Sequence, residues 1–181
     1  NVAWKIDLPG AAGATPAIWN DRIFVTSAEG KELVLLCIST KGKILWKAPL
    51  ASGNKNIRGD EGNSAAPSPA TDGKHVWTFL GTGDMHCFDM EGKLTWKKNF
   101  QKSYGAFDHW HGMSSTPLLV GDTLYQMCLQ IEDPYIVAID KLTGKERWKV
   151  ARESDALHES RHSYASPILY QDGNEQQLLI H

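Results

Sequence analysis

Three stretches of the chain close in the same way. Residues 41–47 read KGKILWK, residues 91–97 read EGKLTWK, and residues 143–149 read TGKERWK. Trp4, Trp46, Trp96 and Trp148 follow one another at separations of 42, 50 and 52 residues, which is the period of a repeat and not of a heptad. A second series runs in phase with the first: Thr15-Pro16, Ser68-Pro69, Thr116-Pro117 and Ser166-Pro167. Two motifs sharing one period make chance similarity a poor explanation. They restrict the chain to architectures built from one recurring unit.

Within a unit the pattern is all strand. In the third, STPLLV, TLYQMCL, YIVAID and ERWKV are short runs rich in β-branched, Leu and aromatic residues, punctuated by GD, EDP and KLTGK. The other two units divide in the same way, and no segment has a convincing helical period. Four short antiparallel strands per repeat of about 50 residues predict an all-β fold, a β-propeller of four-stranded blades. A β-sandwich has no reason to repeat Gly-Lys-x-x-Trp in phase, and a β-solenoid has a shorter period. The expected divisions are 1–8 as the last strand of a preceding blade, complete blades over 11–50, 63–100 and 112–151, and the start of another at 163–181. Gly42, Gly92 and Gly144 fall in the turn before the outer strand, where a positive φ is expected. Trp46, Trp96 and Trp148 fall on that outer strand and are read as packing between blades.

The third unit, from Ala138 and Asp140 through Thr143 and Gly144 to Trp148, resembles the A-x-D-x-x-T-G-x-x-x-W tryptophan-docking motif of pyrroloquinoline-quinone (PQQ)-like propellers. The resemblance extends over essentially the whole chain. Only the third unit matches in full: the second has Cys87 for Ala and lacks the Thr, and the first has Cys37 and Ser39. That superfamily includes quinoprotein alcohol dehydrogenases and BamB-like assembly lipoproteins, usually with about eight blades. The resemblance therefore implies that this chain is an incomplete ring: a fragment of a longer protein first, otherwise a chain that closes by self-association or as a small four-bladed ring with a composite blade from both termini. It also implies a periplasmic, cell-envelope or extracellular location.

Composition removes other classes. A net charge of −2 offers no concentrated positive surface for nucleic acid. No apolar run reaches the roughly 20 residues of a transmembrane helix. Cys37, Cys87 and Cys128 match no metal or redox spacing and are expected as small core residues. No Gly-x-Ser-x-Gly or zinc-protease motif is present, and GTGD at residues 81–84 precedes no helix, so it is a strand-connecting turn.

Hairpin turns are short, whereas the connections between blades are long and chemically unusual, as binding loops on a rigid scaffold tend to be. They contain Arg58, Asp60, Glu61 and Asn63, then Asp108, His109, Trp110 and His111, then Glu153, Asp155, His158, Glu159, Arg161 and His162. Counted back from each repeat Pro, Asn63, His111 and Arg161 are equivalent and are expected at the mouth of the central channel. The candidate ligand- or cofactor-binding residues are Asn63, Asp108, His109, Trp110, His111, Arg161 and His162, against the plainer reading that solvated loops are polar. His109 and His111 share one side of an extended segment and form a weak metal candidate, with Asp108 or Glu159 adding oxygen.

Three functions fit. The first is a non-catalytic binding or scaffold module offering its loop face to protein partners or a small ligand. The second, implied by the resemblance, is a PQQ-dependent oxidoreductase of alcohols or sugars. There calcium assists, Trp110 stacks the quinone and Arg161 pairs its carboxylates; no base is assignable, and the adjacent cysteines of such enzymes are missing. The third is a carbohydrate or small-molecule sensor that stacks its ligand on Tyr104, Phe107 and Trp110.

Overall fold

A computed structural model of the chain describes residues 1–55, 62–157 and 162–180. Three antiparallel sheets follow the sequence repeats. The first contains β1 (Ala17–Trp19), β2 (Arg22–Glu29), β3 (Glu32–Ser39) and β4 (Ile44–Ser52). The second contains β5 (Ala70–Thr71), β6 (His75–Phe79), β7 (Asp84–Asp89) and β8 (Leu94–Asn99). The third contains β9 (Leu118–Val120), β10 (Thr123–Cys128), β11 (Tyr135–Asp140) and β12 (Glu146–Ala151). A hairpin, β13 (Ile168–Asp172) and β14 (Glu175–Leu179), follows. In each complete sheet the strands pair in chain order, as short hairpin turns require. The described residues form no closed ring.

Residues 1–8 pair with no strand among the described residues. An outer strand needs a third strand of its own sheet to pair with, and these residues have none. Trp4 nevertheless occupies the place of the later repeat tryptophans, and Ile6 and Leu8 pack on Val25, Leu36 and Ile38 of the first sheet.

The sheets meet face to face, and the core lies between them. Phe24, Leu35 and Cys37 of the first pack on Val76 and Phe88 of the second. Trp77, Phe79, Met85 and Cys87 of the second pack on Leu124, Val137 and Ile139 of the third. The three cysteines are free and buried, as expected of core residues. Burial pushes the Cys37 and Cys87 thiols up to about 11 and that of Cys128 to about 12, so all three stay protonated and unreactive near neutrality.

Two ladders of contacts tie sheet to sheet. On the outer side, Trp4, Trp46 and Trp96 each lie on the turn of the next sheet. The indole N–H of Trp4 donates to the Thr40 carbonyl (2.7 Å), that of Trp46 to Met90 (2.9 Å) and that of Trp96 to Lys141 (2.9 Å). Each ring also covers a glycine. A Cβ on Gly92 would sit 2.8 Å from the Trp46 ring, and one on Gly144 would sit 2.7 Å from the Trp96 ring. Both glycines have positive φ, +85° and +68°, so a side chain there is excluded by conformation as well as by space. Asp140 shapes the third turn: its Oδ1 accepts from the Thr143 N–H (2.9 Å) and hydroxyl (2.9 Å), and its Oδ2 pairs with Arg147 (2.7 Å). Ala138 faces Trp148 across the strand pair, as Cys37 and Cys87 face Trp46 and Trp96, and a register shift follows each of the three.

The inner ladder explains the Ser/Thr-Pro series. The Thr15 N–H donates to the Ser68 hydroxyl (2.8 Å), the Ser68 N–H to Thr116 (3.0 Å), and the Thr116 N–H to Ser166 (2.9 Å). Each hydroxyl satisfies the backbone donor of the preceding repeat. The following Pro brings no N–H of its own and favours an extended residue before it.

One element departs from the all-strand reading. Phe100–Tyr104 forms a single helical turn, α1, capped by the Asn99 side chain, which accepts from the Lys102 N–H (2.9 Å). Phe100 is buried on Phe79, so core packing holds a turn too short to show a helical period.

Two predictions follow the outer ladder. Trp96→Ala should cost about 3–5 kcal/mol in urea unfolding as an inter-sheet core deletion. Trp148→Ala should cost clearly less, because Trp148 is 39% exposed and covers no turn among the described residues. Gly92→Ala should be about 1–3 kcal/mol more destabilising than Gly30→Ala. Both positions have positive φ, but a Cβ on Gly30 meets nothing within 4 Å. Equal costs for the glycine pair would contradict the docking of Trp46.

Candidate functional site

The loops between sheets and the turns between second and third strands meet on one side. The Gly81 N–H, in the β6–β7 turn, donates to Ser64 O (2.8 Å), and the Ser163 N–H donates to Leu129 O in the β10–β11 turn (3.1 Å). There they enclose a cavity of about 660 Å³, within the range of small-molecule pockets.

Of the sequence candidates, Asn63, His109, Trp110 and His111 line this cavity. Asn63 is buried and shapes its own turn, its Oδ1 accepting from the Ala65 N–H (2.8 Å). Trp110 stands at the lip and is 61% exposed. His162 lies behind the wall, buried, with its ring 5.5 Å from that of Trp110 and 4.7 Å from that of His109. Asp108 is exposed and outside the lining; its carbonyl accepts from the Ile131 N–H (3.0 Å), which anchors the loop. Glu153 and Asp155 are exposed and also outside the lining. Arg58, Asp60, Glu61, His158, Glu159 and Arg161 lie outside the described residues.

The aromatic trio of the sensor reading separates. Phe107 lines the cavity, whereas Tyr104 packs between Phe100 and Tyr135 under the ammonium groups of Lys98 and Lys149. Tyr104 is therefore a packing residue, fixed by α1, and not a stacking platform at the cavity.

The structure adds Tyr164 and Gln101 to the lining. Tyr164 packs against His109 (4.5 Å between rings), and its hydroxyl lies 3.0 Å from His162 Nε2. It stands three residues before a repeat Pro, as Ser114 and Ala66 do, and all three reach the cavity. That column was visible in the aligned repeats. Gln101 was not, because its place depends on α1. Its amide donates to Thr82 O (2.7 Å) and accepts from the Phe107 N–H (2.9 Å), bridging turn and loop.

His109 is the best-defined polar group here. Its Nε2 faces the Ser163 carbonyl at 3.5 Å, while its buried Nδ1 has no hydrogen-bond partner among the described residues. Burial pushes its pKa down to about 4, and the neighbouring His162 and His111 act in the same direction. The ring is thus neutral near pH 7. Because a carbonyl can only accept, the proton belongs on Nε2 and Nδ1 presents a lone pair. Among the described residues, no three His, Cys, Asp or Glu side chains are placed to hold a metal ion, so His109 and His111 gain no third ligand there.

Comparison with known proteins bears on the fold that carries these loops. Residues 31–179 match the family described as outer membrane protein assembly factor BamB. The chain belongs to this family of PQQ-like β-propeller repeats.

Its BamB-like fold recurs in solved structures at low sequence identity. A europium-containing methanol dehydrogenase superposes with a TM-score of 0.64 at 17% identity, covering 85% of this chain and 27% of that one. A quinohemoprotein alcohol dehydrogenase from Pseudomonas putida HK5 gives 0.58 at 19% identity, with coverages of 82% and 22%. BamB from Moraxella catarrhalis gives 0.52 at 17% identity, with coverages of 82% and 54%. The chain thus spans about a quarter of either dehydrogenase and about half of that BamB. Among curated proteins none matches. At these identities the likeness is one of fold.

The histidine gives a pH prediction. The folded pKa of His109 lies below its ordinary 6.5, so folding favours the neutral ring. The associated stability is complete above pH 6.5 and is lost as pH falls through about 4. A long-range ¹H–¹⁵N titration should place the His109 midpoint near 4, with the urea midpoint falling over the same window; titration near 6.5 would contradict the burial.

Proposed function

We propose that this BamB-like repeat segment is a non-catalytic binding module of the cell envelope or extracellular space, whose inter-blade loop face takes its ligand. The observation that carries this reading is the cavity itself. Loops from successive repeats converge on it, on a scaffold pinned at its inner and outer sides. The family description supports an envelope role in which protein partners use the same face or the remaining surface.

The alternative is a PQQ-dependent oxidoreductase, suggested by the fold shared with the two alcohol dehydrogenases. The donors of the described lining lend it little support. A quinone bearing several carboxylates needs cationic or N–H donors around it. The described lining offers Lys55 as its single cation, and Arg161, the sequence candidate for the carboxylates, lies outside the described residues. The described residues also provide no acidic cluster for calcium. We therefore derive no reaction through the quinone.

Titrating PQQ into the full-length protein, with and without calcium, tests the choice by tryptophan fluorescence, since Trp110 is exposed at the lip. The non-catalytic reading expects no saturable, calcium-dependent quenching. Saturable quenching that Trp110→Ala removes would overturn it in favour of the oxidoreductase.

A further inference from the structure

We propose that the groove between the first and second sheets is a docking site for a protein partner, which inserts the tyrosine of an acidic segment among the ammonium groups of Lys97, Lys98 and Lys102. The site lies apart from the cavity, and the inference does not depend on what the cavity takes.

The chain itself shows how such a groove is filled. Between the second and third sheets the corresponding space holds Tyr104. α1 carries this ring across from the end of β8, and it packs on Phe100 and Tyr135 (5.4 and 5.3 Å between rings). Two ammonium groups lie over it, Lys98 at 5.1 Å and Lys149 at 5.7 Å from the ring centroid. Apolar packing and cation–π attraction thus act on one phenol ring.

Counting from the repeat tryptophans identifies the matching place one sheet earlier. Lys97 follows Trp96 as Lys149 follows Trp148, and Leu50 stands four residues after Trp46 as Phe100 stands four after Trp96. Asp84 stands three residues before Cys87, which faces Trp96, and Tyr135 stands three before Ala138, which faces Trp148. Leu50, Asp84 and Lys97 all line a groove of about 410 Å³, within the range of ligand pockets.

Among the described residues α1 has no counterpart after β4. The Gly53 and Asn54 N–H groups both donate to Lys31 O (2.8 and 3.0 Å), in the β2–β3 turn, which holds the chain to its own sheet. Asn54 stands eight residues after Trp46, where Tyr104 stands eight after Trp96. Its side chain donates to Gly30 O (3.3 Å) and accepts from the Ser64 N–H (3.1 Å). Residues 53–63 contain no aromatic side chain. A ring for this groove therefore has to come from another segment.

The lining specifies what accompanies that ring. Leu50 and Ala51 offer an apolar wall for it, while a tyrosine hydroxyl stays hydrated at the rim. Lys97, Lys98 and Lys102 bring three ammonium groups. The carboxylate of Asp84 has both oxygens engaged, Oδ1 by the Asn99 amide (2.9 Å) and Oδ2 by the Thr82 hydroxyl (2.7 Å). Lys97 and Lys102 are exposed, so carboxylates flanking the inserted tyrosine would meet them at the rim, where opposite charge steers association.

The test is a ¹H–¹⁵N NMR titration of the full-length protein with three capped peptides, DEYDE, DEADE and KKYKK. DEYDE should give saturable shifts concentrated in residues 50–52, 84–86 and 97–102, and its binding should weaken with added salt. DEADE and KKYKK should each bind at least about tenfold more weakly, since an aromatic anchor and charge complementarity are both required. The double variant Lys97→Ala/Lys102→Ala, altered at two exposed positions, should lower the affinity for DEYDE about tenfold.

No saturable binding of DEYDE, shifts confined to the cavity around Trp110, or binding indifferent to the tyrosine or to the two lysines would overturn the docking site. Inorganic phosphate, titrated alone, completes the test. Groove shifts as large as those from DEYDE at the same concentration would reduce the groove to an anion site and overturn the tyrosine assignment. Quenching by PQQ at Trp110 is read separately, so failure here and failure of the binding-module reading are distinguishable.

Discussion

The interaction on which this structure depends is an indole laid over a glycine of the next sheet. It resolves two problems of a short four-stranded sheet. Its outer strand carries a Trp that has too little of its own sheet to cover it, and the next turn presents a carbonyl with no strand partner. The Trp96 ring rests on Gly144 while its N–H donates to Lys141 O, and the same geometry joins Trp46 to the turn of Gly92 and Trp4 to that of Gly42. Apolar contact and a satisfied carbonyl come from one side chain. The Lys141 carbonyl also accepts from Trp77 Nε1 (2.8 Å), so the third turn is held from the core side as well.

On the inner side the Ser/Thr relay fixes the second point of contact between neighbouring sheets. With outer and inner edges both pinned, the remaining space between sheets fills with Phe, Leu, Met and Trp side chains. The rigidity passes to the loops. Gly81, Ser64, Gln101 and Phe107 are joined by backbone and amide hydrogen bonds, so the cavity wall is set by the same scaffold that spaces the sheets. Burial keeps His109 neutral near pH 7 within that wall.

Much of the fold was legible because the repeat writes its packing into residues with few alternatives. Gly92 and Gly144 need both positive φ and the absence of a Cβ, so Gly-x-x-x-Trp survives where the surrounding residues vary. The four-strand pattern was visible in the alternation of apolar runs and turns. Residues 1–8 have the pattern of a strand, but pairing depends on neighbours that periodicity does not reveal. The helix α1 was missed for a related reason. Its cap residues, Asn99 and Gly105, were readable, but a five-residue turn has no period to detect. At the cavity, counting back from the repeat prolines brought out Asn63 and His111, and the same count would have yielded Tyr164. It had no means of separating Tyr104, drawn into the core by Phe100, from Phe107, which reaches the cavity.

The docking of one sheet on the next is tested most directly by a double-mutant cycle on Trp96 and Gly144, read by urea unfolding. In the parent, Gly144→Ala must displace the ring as well as strain a residue at φ +68°. With Trp96→Ala already present, only the backbone strain remains. The account predicts a coupling of at least about 1 kcal/mol, with Gly144→Ala much less damaging in the Trp96→Ala background. Additive costs would mean that ring and glycine do not sense each other, and would contradict the proposed linkage between the sheets.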